Sequence, residues 1–503
     1  LKGAAHLLAA LQRSESTLKG IQAEVLVARE DAHKVDPGLL PGSERAAFTK
    51  SLGSIDKAAS AVVEFNRLVP AIFDILGANG PRTYLIEQVN PAELRSGGGF
   101  IGTVSIARAD HGKLTILKSG DSYALEGPRP YQGQPGYVAP PPELGKAFPA
   151  AYSQGLSWAL ADSNVFADPA TSARWGEWFA QHSLGVKVDG VIVMDYNAVA
   201  GMLSVTGPIH LPGYGVTFTS RNFVSQVLAL DLAQTSTHKS VLGAAAQPLL
   251  KDVSALQPSQ WPALVSVLNA AVTEGHLHAY FNAPVAQNEM VRLGWSRSIN
   301  PAAARDFVME TEDNLAGSKM NAFLSRSYTV QLTQTAGGLH HKVIVDLYNK
   351  APLRLPGDST RNYAALVRFY LGGAATHLSL TSPASPFGPL QPIKTAPRDV
   401  PAGLQVIGGY FSMDMNGWAV GHYRVVLQYD TPLAPDATAP ASIYWQKQPG
   451  VGADSVSISW SVDGHLFKAT TDLSQDRVIN LTSSGMSVQP GQEASVHLPS
   501  LSL

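Results

Sequence analysis

The chain has 503 residues, too many for a single core, so two or three domains are expected. Hydrophobic residues make up 45% and charged residues only 15%, which excludes a disordered chain, and a net charge of −2 with no basic run excludes a nucleic-acid footprint. Without cysteine there is no disulfide, no thiolate metal site and no thiol nucleophile.

The 45 glycines and 34 prolines suit a loop-rich, β-containing extracellular protein. No apolar run reaches the about eighteen residues that a membrane-spanning helix needs. Over residues 1–33, Leu7, Leu8, Leu11, Leu18, Ile21 and Val25 recur at helical spacing, and Pro37, Gly38, Pro41 and Gly42 end the pattern. Ser43 and Glu44 open a second amphipathic helix with Phe48, Leu52, Ile55, Val62, Phe65 and Leu68 on one face. Pro70 is expected to kink it before a stop at Gly77. Residues 1–80 thus read as a helical hairpin, a stalk or a lid.

An α/β core over residues 81–326 follows. Strands at 84–89, 100–107 and 113–119 make a meander, and the first two flank the run NPAELRSGGGFIG. Glu93 and Arg95 stand at the mouth of three consecutive glycines, which allow close backbone approach to a ligand or a neighbouring strand. A polar loop at a strand's carboxyl end is where α/β sheets place their chemistry. Residues 121–144 form a proline- and glycine-rich loop with Tyr123, Tyr131 and Tyr137. It is either a cover for a cleft, its tyrosines stacking on sugar rings, or a surface loop of polyproline character.

Asp162, Ser163, Asn164 and Asp168 form a second polar cluster after Trp158. Asp162 either faces the same cleft as Arg95 or is a turn residue, and Asp168 reads as the start of the helix that buries Trp175, Trp178 and Phe179. The strand at 188–195 ends in Asp195, placed to cap the next helix. Helices near 223–233, 239–253 and 261–275 complete a layered pattern of strands and helices. His276 and His278 alternate along one strand face without a third ligand, and the adjacent His340 and His341 face opposite ways, so no metal site is assigned. Residues 305–326 close the core with Asn314, Lys319 and Asn321, which either bind the ligand of Arg95 or stitch the core to the next domain. From 327 to 503, alternating segments at 328–332, 341–347, 364–370, 422–429, 456–462 and 495–498 read as an antiparallel β-sandwich.

NPAELRSGGGFIG, WALADSNVFADP (158–169), VDGVIVMD (188–195), MLSVTGP (202–208) and TEDNLAGSKMNAFLSR (311–326) resemble, in this order, the motifs of the domain of unknown function 4012 family of bacterial cell-envelope proteins. The block VDGVIVMDYNAVAGMLSVTGPIHL is also similar in shape to a segment of the LytR–CpsA–Psr phosphotransferases, which move a glycopolymer from a lipid pyrophosphate onto the cell wall. The resemblance implies an extracytoplasmic protein held by an amino-terminal membrane anchor upstream of this chain. It also implies a LytR–CpsA–Psr-like core, a mixed sheet flanked by helices. The implied partner is cell-wall or capsular polysaccharide, polyprenyl-linked in the transferase case. A divalent cation is implied as cofactor in that case alone.

No nucleophile elbow, P-loop or dinucleotide fingerprint is present, because GGGFIG opens a strand and lacks the Lys–Ser/Thr ending. Three readings stay open. In a glycopolymer transferase, Arg95 would clamp a pyrophosphate with Arg82, Arg174 or Arg221 as a second cation. Those enzymes carry Arg-Ser-Asp-Thr where this chain has Gly98-Gly99-Phe100-Ile101, which leaves Asp162 to hold the metal. In a glycoside hydrolase, Glu93 would be nucleophile or base and Asp162 the acid, about 5 Å apart for retention or further apart for inversion. In a non-catalytic envelope protein, Glu93 and Arg95 are an internal ion pair fixing the glycine loop. The catalytic candidates are Glu93, Arg95 and Asp162; the substrate-binding candidates are Asn90, Asn164, Asp168, Arg174, Asn314, Lys319 and Asn321.

Overall fold

A computed structural model describes residues 3–147, 152, 154–233, 238–299, 306–355, 360–383, 385–393, 400–432, 441–482 and 484–491. The protein is a mixed α/β structure whose carboxyl-terminal part is built almost wholly of strands. Helices α1 (Ala4–His33) and α2 (Gly42–Ile75) form an antiparallel hairpin, with Leu11 packed against Phe65 and Val69. Pro70 does not end α2, which runs on to Ile75. Proline removes one backbone donor, and packing of Leu68, Val69 and Ala71 in the interior outweighs that loss.

The first sheet contains β1 (Arg82–Asn90), β2 (Phe100–Asp110) and β3 (Lys113–Asp121), the expected meander. Short helices α3 (Ser122–Glu126) and α4 (Pro142–Ala147) and the helix α5 (Pro169–His182) lead to β4 (Gly190–Asp195). Next come α6 (Tyr196–Thr206), the hairpin β5 (Ile209–Leu211) and β6 (Val216–Phe218), α7 (Phe223–Ala233), α8 (His238–Ser254), α9 (Trp261–Thr273), β7 (Leu277–Phe281) and α10 (Pro284–Arg292). The strand order is β3-β2-β1-β4-β7, with β1 and β4 parallel and the other neighbours antiparallel. Strand periodicity sends Leu85, Val191 and Val193 to the layer of α5, and Ile192 and Met194 to the layer of α6 and α9. Helices therefore cover both faces.

The remaining strands are β8 (Asp306–Asn314), β9 (Leu324–Thr335), β10 (Gly338–Asn349), β11 (Tyr363–Gly372), β12 (Thr376–Thr381), β13 (Gln391–Ile393), β14 (Leu404–Met413), β15 (Gly421–Thr431), β16 (Ala441–Gln446), β17 (Ser455–Val462), β18 (His465–Asp472), β19 (Arg477–Thr482) and β20 (Gly485–Pro490). Two sheets, ordered β13-β14-β11-β8-β16-β19-β20 and β12-β15-β10-β9-β17-β18, pack face to face. Val308, Val367 and Phe369 of the first meet Val345, Tyr423 and Leu427 of the second in one core.

Two expectations are corrected. The sandwich is mixed, not purely antiparallel, because β8–β16 and β9–β17 are parallel pairs. The chain reaches β16 and β17 only after long excursions through other strands, and such connections permit parallel neighbours. The division at residue 326 also moves back: β8 lies in the middle of the seven-stranded sheet, paired with β11 and β16, so 306–314 belongs to the sandwich. The strand expected at 495–498 lies outside the described residues.

Candidate functional site

The loop between β1 and β2 comes back on itself through backbone bonds from Glu93 N to Asn90 O and from Phe100 N to Glu93 O. Its glycines are demanded by neighbouring protein. A Cβ on Gly97 would lie 2.8 Å from Asn164, and one on Gly99, at φ 150°, would lie 2.4 Å from the Asn90 carbonyl. Asn164 clasps the loop from the other side, donating from Nδ2 to Gly99 O at 2.7 Å and accepting from Gly97 N at 2.8 Å.

Arg95 sits at the centre. The turn at 160–162 brings Asp162 beneath it, so the expected meeting of Glu93, Arg95 and Asp162 is found. Arginine has five N–H donors, and in Arg95 each has a partner. Nε and Nη2 donate to Asp162 Oδ1 at 3.1 and 3.0 Å, Nη2 also to Glu93 Oε1 at 3.1 Å, and Nη1 to the carbonyls of Leu94 and Asn314 at 3.0 and 2.8 Å. The other carboxylate oxygens are engaged as well. Asp162 Oδ2 accepts from the Tyr152 hydroxyl at 2.6 Å, and Glu93 Oε2 accepts from Lys319 Nζ. Phe100 lies under Arg95 and Lys319 at 5.6 and 5.4 Å, and Tyr123, which the structure places in α3 at the start of the proline-rich segment, tilts against Phe100 at 5.8 Å.

Exposure decides what this cluster can do. Arg95 is 2%, Asp162 5% and Glu93 6% exposed, so the acid–arginine step faces a closed interior instead of an open hollow. Burial works to raise the Glu93 carboxyl, but Lys319 and Arg95 outweigh it and hold the group below its ordinary value. Burial likewise works to lower the Arg95 guanidinium, and Asp162, Glu93 and Asp313 together raise it. Their neighbours thus hold Glu93 as an anion and Arg95 as a cation.

The remaining candidates are distributed around this cluster. Asn314 and Asn321 do approach it, as structural ties. Asn314 O accepts from Arg95, and Asn314 Nδ2 donates to Asn321 Oδ1, which also accepts from Leu94 N at 3.1 Å. Lys319 belongs to the cluster itself. Asn90 turns away to donate to Asp231 Oδ2 of α7 at 2.6 Å. Asp168 caps α5, accepting from Thr171 N and Oγ1 at 3.0 and 2.6 Å. Arg174 is on the exposed face of α5, with Thr171 Oγ1 at 3.3 Å. Of the other cations considered beside Arg95, Arg82 pairs with Asp74 and Arg221 is exposed before α7.

Several linked groups escaped the sequence reading. Ser96, next to Arg95, donates from its backbone and hydroxyl to Asp313, which also takes Arg368 at 2.6 Å. Gln448 bridges Arg95 O and Glu312 O, and Arg326 grips Glu312 with two bonds at 2.9 and 2.8 Å. Asp195 does cap α6 through Oδ1, but its Oδ2 is also 2.6 Å from His276 Nδ1. His276 and His278 do not act together: burial and Arg297 lower the His278 imidazole to about 3. Among the described residues no group of three metal-ligating side chains converges. Such ties are formed by side chains tens or hundreds of residues apart, with no local spacing to reveal them.

Known proteins were compared with this geometry in hand. Residues 79–230 match the family described as "Protein of unknown function (DUF4012)", and the match contains the glycine loop and Asp162 but ends before Asn314. No curated protein matches. Among solved structures, protein gbs0355 from Streptococcus agalactiae is similar at 12% identity and a TM-score of 0.28, over 44% of this chain and 75% of that one. Lin1025 protein from Listeria innocua is similar at 10% identity and a TM-score of 0.21, over 44% of this chain and 81% of that one. Overlap that slight carries no argument about fold or function. Residues 79–230, which supply Glu93, Arg95 and Asp162 to the cluster, are thus similar to the DUF4012 family.

Proposed function

We propose that this protein is an extracytoplasmic cell-envelope protein that holds polysaccharide and neither cleaves nor transfers it. One observation carries the non-catalytic part: all five N–H donors of Arg95 are taken by protein oxygens inside a closed interior. A pyrophosphate clamp needs free guanidinium donors, and none is left. A hydrolase needs one carboxyl kept protonated, yet Lys319 and Arg95 hold Glu93 ionised and both oxygens of Asp162 are engaged. The envelope and its polysaccharide are inferred from the low charge, the loop-rich composition and the likeness of the motifs. A membrane anchor upstream is part of the same inference. The LytR–CpsA–Psr likeness is kept for the shape of the five-stranded core, and no divalent cation is assigned with it.

The test is co-sedimentation with insoluble bacterial cell-wall polysaccharide, followed by assay of the supernatant for new reducing ends and of the wall for transferred glycopolymer. The expected result is sedimentation with no product. Product formed by the wild type and lost in Glu93→Gln or Asp162→Asn would instead establish catalysis at the cluster.

A further inference from the structure

Three connections of the sandwich meet at one of its ends: those from β10 to β11, from β12 to β13 and from β14 to β15. Arg361 fastens the first to the third. Its Nη2 donates to the carbonyls of Ala351, Trp418 and Ala419 at 3.1, 2.9 and 3.3 Å, and its Nη1 to that of Met415 at 3.3 Å. The second connection joins them through the Phe387 ring, 5.3 Å from that of Trp418, and through Gly388 O, which accepts from the Tyr423 hydroxyl at 3.2 Å. Large apolar side chains on these loops face solvent: Leu353 is 69%, Val420 48% and Trp418 43% exposed. A single exposed apolar side chain is ordinary, but several on loops tied together mark a surface that meets something.

The backbone of the loops narrows the partner. In water an exposed loop leaves its polar groups to the solvent, whereas at an apolar boundary they must be bonded within the protein. Here the protein bonds many of them. Arg361 and Tyr423 take the carbonyls named above. Ala351 N donates to Asn349 Oδ1 at 3.0 Å, Met415 N to Asn362 Oδ1 at 2.9 Å, Trp418 N to Met415 O at 3.1 Å and Gly388 N to Ser385 O at 3.1 Å. Pro352, Pro386 and Pro389, all exposed, have no N–H to satisfy. A sugar is gripped by free donors and acceptors, and these loops turn theirs inward. Charge points the same way. Over residues 350–361 and 414–420, Lys350, Arg354 and Arg361 outnumber Asp358 and Asp414, although the whole chain carries a net −2. Lys350 and Arg354 are exposed. Apolar side chains and a tryptophan with cations beside them suit the boundary between lipid headgroups and acyl chains. We propose that this end of the sandwich docks on an anionic lipid surface, with Leu353, Trp418 and Val420 entering the boundary and Lys350 and Arg354 meeting lipid phosphates. The proposal needs no membrane-spanning segment and does not depend on the polysaccharide reading above.

The experiment is flotation of the full chain with vesicles of equal parts phosphatidylcholine and phosphatidylglycerol, and with vesicles of phosphatidylcholine alone. The wild type should float with the mixed vesicles, float less with the neutral ones, and be released from the mixed ones by salt. Leu353→Ser and Trp418→Ser should each weaken binding to the mixed vesicles about tenfold. Lys350→Gln combined with Arg354→Gln should weaken it by about tenfold or more and leave binding to neutral vesicles unaltered. The exposure of Leu353 means that Leu353→Ser keeps the thermal midpoint, so it decides the matter should Trp418→Ser fold poorly. Absence of flotation by the wild type, or equal flotation by the wild type and Leu353→Ser, overturns the proposal. Two other occupants have their own signatures. A wild type that is dimeric without lipid, with Leu353→Ser monomeric, gives the loops to a second copy and overturns the proposal. Loss of wall-polysaccharide sedimentation in Trp418→Ser with vesicle binding retained gives them to a sugar and overturns it too. Flotation of the wild type without sedimentation on polysaccharide leaves the lipid contact standing and removes the polysaccharide reading; sedimentation without flotation does the reverse.

Discussion

The Arg95 loop and the Arg297 seam both bury an arginine against carboxylates, and they differ in what is left over. At Arg95 every donor meets an oxygen, both acids are engaged, and the glycines are pressed against Asn90 and Asn164. At Arg297, where the core meets the sandwich, the charge is paired, but Nε and the neighbouring Gln446 Oε1, both buried, find no partner among the described residues. Charged residues on a glycine-rich loop suggested chemistry at the first place, whereas the second carried no motif. Complete hydrogen bonding, more than the presence of acids and arginines, is what marks the Arg95 cluster as fold-stabilising.

The sharpest way to break this comparison is to remove Arg95. Arg95→Met leaves the buried Glu93 with Lys319 alone and the buried Asp162 with Tyr152 alone, so urea unfolding should show a loss of about 3–5 kcal/mol. An unaltered midpoint would mean the cluster is not a structural centre. The next effect concerns Glu87 in β1, whose buried Oε1 has no partner among the described residues and lies where a Cβ on Gly176 would be 2.5 Å away. Burial raises its carboxyl from 4.5 to about 8. Between those values the folded state keeps a proton that the unfolded state has released, so stability falls as pH rises through this window and then levels. Glu87→Gln should match the wild type near pH 4 and exceed it near pH 8, by on the order of 2–4 kcal/mol. Comparing the two proteins removes the opposing contribution of His278, and superimposable pH profiles would contradict the assignment.

Smaller substitutions sharpen the contrast. Gly99→Ala forces a Cβ onto the Asn90 carbonyl at a positive φ and should cost about 1–3 kcal/mol in thermal or urea unfolding. Asp168→Ala removes a helix cap and should cost about 1 kcal/mol, with no effect on polysaccharide sedimentation. Arg174→Ala, at an exposed position, should stay within about 0.5 kcal/mol and leave sedimentation unaltered. A loss of binding in either of the last two would return α5 to the ligand site.

How much of this was legible in the chain depends on the range of the interaction. The meander of β1 to β3 and the hairpin of α1 and α2 follow from local periodicity and were read correctly. The convergence of Arg95 on Asp162 could be anticipated from two polar loops, but its closure depends on Asn314 O, Tyr152 and Lys319, contributed from distant segments. β8 looked like part of the core because RDFVMETEDN follows the core in sequence; its place is set by pairing with Tyr363–Gly372 and Ala441–Gln446, which no local pattern encodes. The Asp195–His276 pair and the Arg297 seam were missed for the same reason, since each joins residues with no shared spacing.

A double-mutant cycle tests the structural role of Arg95 most directly: Arg95→Met, Asp162→Asn and the combined variant, each followed by urea unfolding and by the product assay. Both single variants should be destabilised, the pair should lose less than the sum by about 0.5–3 kcal/mol, and no protein, wild type included, should form product. Single variants as stable as the wild type, with a product that only the wild type makes, would contradict the account.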